Sequence, residues 1–232
     1  MIKKPVKGIY FDLGWTLFRP ATGDWKMTPL ALKHIHPQTL SSLSVERQNE
    51  AFAMANACLE NREMKTEAQE LEGYTDFYRT MASCLPEIRL SQDQADLIAY
   101  DRVNNDANYI VFDDAKSTLE ALSGNYKLGL ISDTDPSVIR VLKNNGLYDF
   151  FDTMTLSFDV GNTKPNKGMY LHALNEMNLP AKETLFVDDN EKNLDGAYAF
   201  DIQPLLIMSR PNSQAVSHYA SIKKLSDLLL LL

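Results

Sequence analysis

The sequence predicts an α/β protein: a Rossmann-like parallel sheet flanked by helices, with a smaller all-helical module inserted near its start. Three observations carry this reading. The apolar run Val6 to Asp12 ends in turn chemistry, as a buried strand does. From about residue 110 onward, strand-like and helix-like segments alternate, which implies a parallel sheet covered on both faces. Between Pro20 and Tyr109 only helical patterns occur. The expected division is therefore 1–19 and 110–232 for the α/β domain and 20–109 for the helical module.

In the module, "SVERQNEAFAMANACLENREM" carries Val45, Phe52, Met54 and Leu59, with Ser44 as the N-cap. "TEAQELEGYTDFYRTMASCL" opens with Thr66 three residues before Gln69, a capping-box pattern, and aligns Leu71, Tyr74, Phe77, Tyr78 and Met81. Ser91 and Gln94 repeat that pattern. In the α/β part, Asp114 to Leu122 reads as a helix and "KLGLIS" as a strand. "DPSVIRVLKNNG" reads as a helix with Asp135 as N-cap, Pro136 at its first position and Gly146 as its stop. Then follow the strand "TMTLS", the helix "NKGMYLHALNEMN", the strand "TLFVDD", the helix "NLDGAYAFD" and the strand "PLLIM". The closing "DLLLLL" reads as the end of an amphipathic helix docked on the body, since it is too short to span a bilayer.

Composition narrows the function classes. The 232 residues are 44% hydrophobic and 23% charged, enough for a substantial core. A net charge of −8 argues against nucleic acid or an anionic membrane as partner, because Lys and Arg dominate such contacts. A small phosphorylated metabolite remains compatible, since a metal and one lysine reverse the sign locally. Cys58 and Cys84 are too few for a disulfide framework and read as reduced, mostly buried thiols. Asp12 interrupts the first apolar run, making it a poor signal peptide; the expectation is a cytoplasmic monomer or homodimer.

Ligands of open α/β sheets bind outside the carboxyl ends of the strands. Those ends carry Asp12, Ser132, and the pair Asp188 and Asp189, while "GNTKPNK" with Lys164 opens the helix after "TMTLS". Burying two adjacent carboxylates costs several kcal/mol each unless a cation compensates. A carboxylate nucleophile, further acidic ligands for Mg²⁺, a hydroxyl and a lysine form a cradle for a transferring phosphoryl group. Helix capping is the simplest structural role for Asp133 and Asp135, and metal-loop orientation or plain helix surface for Asn193; Asp195 reads as exposed. Trp15 and Trp25 read as packing residues first. His34 and His36, near the start of the module, read as packing or surface residues before catalytic ones.

The chain resembles the haloacid dehalogenase superfamily. "FDLGWTL" stands where that family has its Asp-x-Asp-x-Thr motif, "LISDT" matches its second motif, "GNTKPNKGMY" its Lys-Pro block and "FVDDNEKNLDGA" its acidic fourth. The helical block falls where one subgroup carries an α-helical cap. The resemblance implies that Asp12 forms an aspartyl-phosphate, that Ser132 and Asp133 lie on the substrate phosphate, and that Lys164 pairs with Asp12. It also implies Mg²⁺ held by Asp12, Asp188, Asp189 and the Gly14 carbonyl.

Gly14 departs from the pattern. Most family phosphatases have a second aspartate there, which protonates the leaving group and then activates water. Glycine does neither, and general acid–base catalysis is worth about 10²–10⁴-fold. The favoured reading is a Mg²⁺-dependent hydrolase of small phosphate monoesters in which water or another side chain moves the proton. The alternatives are a nearly inactive relative that binds a phosphorylated ligand or partner, and carbon–halogen cleavage, which needs no leaving-group proton. Response-regulator receivers also use Asp, Ser/Thr and Lys, but place their acidic pair early in a much shorter chain.

Overall fold

The computed structural model describes residues 2–60, 62–211, 213 and 217–232. The chain opens with β1 (Gly8–Phe11) and a short β2 (Phe18–Pro20). Five helices follow: α1 (Pro29–His34), α2 (Pro37–Ser41), α3 (Val45–Glu60), α4 (Glu67–Cys84) and α5 (Gln92–Asn104). After β3 (Tyr109–Val111) come α6 (Ala115–Ser123), β4 (Lys127–Ser132), α7 (Val138–Asn144), β5 (Thr153–Leu156) and the one-turn α8 (Ser157–Val160). The rest is α9 (Lys167–Met177), β6 (Thr184–Asp188), α10 (Glu191–Tyr198), β7 (Gln203–Ile207) and β8 (Ser221–Ile222). Two compact units result: residues 1–19, 111–134 and 138–232, and residues 20–110 with 135–137.

The first unit is an α/β fold. Its sheet has six strands in the order β5-β4-β1-β6-β7-β8, every neighbouring pair parallel. β1 lies in the interior, with β4 on one side and β6 on the other, so the order of connection reverses there. Such a reversal opens a crevice at the strands' carboxyl ends. On one face Tyr10, Ile131, Phe186 and Leu206 pack with Met169, Tyr170, Ala173 and Met177 of α9 and with Leu194 and Ala197 of α10. Gly129 permits this packing: a Cβ there would meet Thr153 Oγ1 at 2.6 Å, Met177 Cε at 2.8 Å and Tyr10 Cδ1 at 2.9 Å.

The second unit is built on α3, α4 and α5. Both expected capping boxes form, Thr66 with Gln69 and Ser91 with Gln94. Tyr74, Phe77, Tyr78 and Met81 of α4 pack with Ile98, Ala99 and Val103 of α5. The buried face of α3 is only half the expected one. Phe52 and Leu59 pack against the core beside the buried Ala51 and Ala55, while Val45 and Met54 point to solvent. Small residues let α3 approach α4 closely, and Gly73 marks the contact: a Cβ there would meet Leu59 Cδ2 at 3.2 Å.

Other sequence expectations also require correction. β2 and β3, each three residues long, pair with one another in the stretch read as purely helical or connecting. α7 starts at Val138, and Asp135 does not cap it. Instead Asp135 accepts hydrogen bonds from Tyr74 Oη at 2.9 Å and Arg102 at 3.3 Å. The C-terminal leucines form a 3-10 turn, Leu225–Leu230, that buries Leu225 and Leu228 and exposes Leu229, Leu230 and Leu231. Cys58 and Cys84 are free but only half-buried. No helix among the described residues is long and apolar enough to cross a membrane.

The second unit contains a buried polar cluster with a measurable consequence. Glu70 accepts hydrogen bonds from the Ser137 amide and hydroxyl, both at 2.8 Å, and Arg102 lies 3.9 Å away. Burial, with the nearby Asp135 charge, pushes the Glu70 carboxyl from 4.5 up to about 7, while Arg102 and Ser137 pull it back. The folded chain therefore holds this proton more tightly than the unfolded chain, and stability falls as pH rises from 4.5 through 7. Glu70→Gln should stabilise the protein by roughly 1–3 kcal/mol at pH 8 and by little at pH 4.5, measured by urea unfolding at both values. Destabilisation at both would mean that the ionised carboxylate is the stabilising form.

Candidate active site

β1 delivers Asp12 to the carboxyl end of the sheet. Its amide still donates to the Val187 carbonyl at 2.9 Å, extending the ladder one residue past Phe11. The chain then turns tightly: the Leu13 carbonyl accepts from the amides of Thr16, Leu17 and Phe18. Trp15 takes the left-handed backbone conformation, φ 58°, and is buried. For a bulky residue this is unusual and is held only by surrounding structure. Here the Trp15 amide donates to the Phe18 carbonyl, and the Ser209 hydroxyl donates to the Trp15 carbonyl. Gly14 is half-buried in this turn. It is absent from the left-handed glycines, Gly23, Gly146 and Gly161, so backbone conformation does not require glycine there.

Next to β1, β6 ends in Asp188, and Asp189 follows. Ligand oxygens of Asp12, Asp188 and Asp189 all lie within 4.8 Å of one another. Lys164 reaches in from the loop before α9 and donates to Asp12 Oδ1 at 2.6 Å and Asp188 Oδ2 at 2.8 Å. All three side chains are nearly or fully buried, with Lys164 2% exposed. Removing charges from water this completely costs several kcal/mol per ion, and only close mutual pairing sustains it.

The electrostatics follow from that crowding. Burial pushes the Asp12 carboxyl up to about 7; Lys164 opposes the shift and the Asp188 charge adds to it. Burial alone would lower the Lys164 ammonium, but Asp12 and Asp188 outweigh it and hold it well above its ordinary value. Asp189 is raised by burial and restrained by its ion pair with Arg210. One buried ammonium thus serves two carboxylates, a half-exposed guanidinium serves the third, and the donors are all hard oxygen, which suits Mg²⁺.

The remaining predicted residues fall around this centre. Ser132 is buried at the end of β4, two residues past Leu130, which pairs with Phe11 of β1. Asp133 accepts the Lys164 amide at 2.8 Å, so it anchors the lysine's loop and caps no helix; burial raises its carboxyl. Asn193 is buried, and its amide donates to both Asp188 oxygens, at 3.0 and 3.2 Å, which settles it as an orienting residue. Asp195 is exposed and bonded to Tyr219. His34 lies in the helical unit against Gln94, and His36 is exposed at the start of α2. A groove of about 1010 Å³ lined by Lys3, Lys182, Tyr198 and Tyr219 contains none of the acidic triad. Sequence reading missed Arg210. Its one signal was position, just past the carboxyl end of the last strong strand, on the ligand side of the sheet.

A family model described as haloacid dehalogenase-like hydrolase matches residues 45–207, more than half of the chain. The chain belongs to the haloacid dehalogenase-like hydrolases. The matched stretch holds Ser132, Lys164, Asp188 and Asp189 and begins beyond Asp12. A search of known proteins finds the pyrimidine 5'-nucleotidase YjjG of Escherichia coli, 36% identical over 81 residues. That alignment spans 34% of this chain and 36% of the nucleotidase. Among solved structures, a haloacid dehalogenase-like family hydrolase from Xanthomonas campestris matches with a TM-score of 0.71 at 15% identity, covering 97% of this chain and 90% of that one. The L-2-haloacid dehalogenase of Xanthobacter autotrophicus matches with a TM-score of 0.65 at 18% identity, covering 98% of both. At such identities these structures establish the shared α/β fold and nothing narrower.

Proposed function

We propose that this hydrolase cleaves small phosphate monoesters with the help of Mg²⁺, and that Asp12 is its nucleophile. The observation that carries the reading is the acidic triad, in which a single buried lysine bridges Asp12 and Asp188 while Asp189 stands within 4.8 Å of both. A carboxylate serving only as a nucleophile needs no acidic neighbours, whereas a cation gives clustered carboxylates a charge to share. Mg²⁺ held by Asp12, Asp188 and Asp189 would supply positive charge to the non-bridging phosphoryl oxygens.

The protein's own groups divide the remaining work. An Asp12 oxygen attacks phosphorus in line with the ester oxygen; the P–O ester bond breaks and the alkoxide departs, taking a proton from water. Lys164 offsets charge on Asp12 and on the phosphoryl group as the new bond forms. Ser132 donates its hydroxyl to a phosphoryl oxygen. Water then attacks the phosphorus of the aspartyl-phosphate, freeing phosphate and restoring the Asp12 carboxylate. Asn193 and Asp133 position Asp188 and Lys164 throughout. The partial kinship with a pyrimidine 5'-nucleotidase supports a phosphorylated metabolite as substrate.

Gly14 favours a second reading, carbon–halogen cleavage, in which a halide leaves without a proton. The triad weighs against it, because that reaction gives three carboxylates no cation to hold. The deciding experiment is a screen of phosphate monoesters and 2-chloroacids with Mg²⁺ or chelator, run beside Asp12→Asn. Phosphate release that needs Mg²⁺ and is lost in Asp12→Asn is expected. Chloride release indifferent to chelator would overturn the reading in favour of dehalogenation. Neither activity, with phosphate esters still protecting the fold, would favour a binding protein.

A further inference from the structure

The three carboxylates of the triad are not held alike. Asp12 and Asp188 share Lys164, a cation sealed from solvent. Asp189 is also buried, its side chain 3% exposed, but its counter-ion is the Arg210 guanidinium, whose side chain is 52% exposed. The contact runs through one guanidinium nitrogen, Nε, to Asp189 Oδ2. The same guanidinium lies over the Trp15 ring, 5.5 Å from its centroid. Arg210 thus reaches the site on a long side chain that is half in water, and a face for it to rest on is already in place.

We propose that Arg210 is an exchangeable counter-cation for Asp189: it holds the third carboxylate in the metal-free protein and must leave it when a divalent cation binds. This rests on the divalent-cation reading of the triad given above. Two positive groups competing for one carboxylate repel each other at contact distance, most strongly where water is excluded. Lys164 is sealed from solvent and paired with two carboxylates, whereas Arg210 is half in water and paired with one, so the exchange falls to Arg210. The opposite role is equally definite. An arginine that keeps Asp189 oriented while its other oxygen meets the metal would strengthen binding. The two roles predict opposite signs for one substitution.

The test is calorimetric titration of Mg²⁺ into the full chain and into Arg210→Gln, with melting curves in chelator and in Mg²⁺; neither readout needs turnover. Arg210→Gln should melt lower in chelator, gain more from Mg²⁺ and bind Mg²⁺ about two- to fivefold more tightly, the scale of a partly exposed ion pair. Arg210→Lys, which keeps the charge but loses the fork, should stay near the parent. Equal or weaker Mg²⁺ binding by Arg210→Gln, with the parent binding normally, overturns the exchange and leaves the metal reading intact. Failure of both proteins to bind Mg²⁺ overturns the two together.

Discussion

Lys164→Met should destabilise the metal-free protein by about 3–5 kcal/mol at pH 8, the loss typical when one partner of a buried ion pair is removed. Lys164 is the only group within hydrogen-bond reach of both Asp12 and Asp188 among the described contacts, at 2.6 and 2.8 Å. Without it the Asp12 carboxyl, already raised to about 7 by burial, loses the charge that restrains it and climbs further. Asp12 then takes up a proton on folding across a wider range, so stability drops as pH rises through its folded value. The deficit should therefore shrink when urea unfolding is repeated at pH 5. Millimolar Mg²⁺ should also recover part of it at pH 8, as a cation selective for the folded state. An equal loss at both pH values would assign the effect to packing of the lysine stem.

Gly14 sets the second large effect. Without a side-chain acid at this position, turnover should fall steeply as the leaving alcohol becomes more basic, because an alkoxide needs a proton and a nitrophenolate does not. Gly14→Asp should raise turnover of alkyl phosphates by about 10²-fold and flatten the dependence, the usual scale of general acid–base catalysis. The backbone does not oppose the substitution: Gly14 is not left-handed, and the left-handed position is its neighbour Trp15. Comparing initial rates across aryl and alkyl phosphates decides the matter. Alkyl esters cleaved as fast as aryl ones by the parent would show that another group already supplies the proton.

The centre of the site was legible because of how parallel sheets work. Asp12 and Asp188 end adjacent strands whose register, Phe11 opposite Val187, brings the carboxylates side by side. The alternation of strands and helices placed both at the carboxyl edge of a parallel sheet, and the family resemblance implied that they meet there. Lys164 was legible through the same resemblance, from its Lys-Pro block. What failed was whatever depends on partners distant in sequence. Asp135 before Pro136 looks like a local cap, yet its carboxylate is taken by Tyr74 and Arg102. Asp133 looks the same and is taken by the Lys164 amide. On α3 the core face holds Phe52 and Leu59 as expected, but Val45 and Met54 point to solvent and the fully buried positions are Ala51 and Ala55. Arg210 stood outside every recognisable motif, and only the folded chain brings it to Asp189.

The proposed chemistry requires a covalent bond to Asp12, and acid-quenched mass spectrometry with peptide mapping tests it most directly. The protein is mixed with Mg²⁺ and a nitrophenyl phosphate and quenched at times from milliseconds to minutes. With no aspartate at position 14 to activate water, breakdown of the intermediate should be slow, so a burst of nitrophenolate should accompany a phosphoryl group on the peptide carrying Asp12. Chelator or Lys164→Met should suppress both. Steady turnover with no adduct at any time, or an adduct on another residue, would contradict the account.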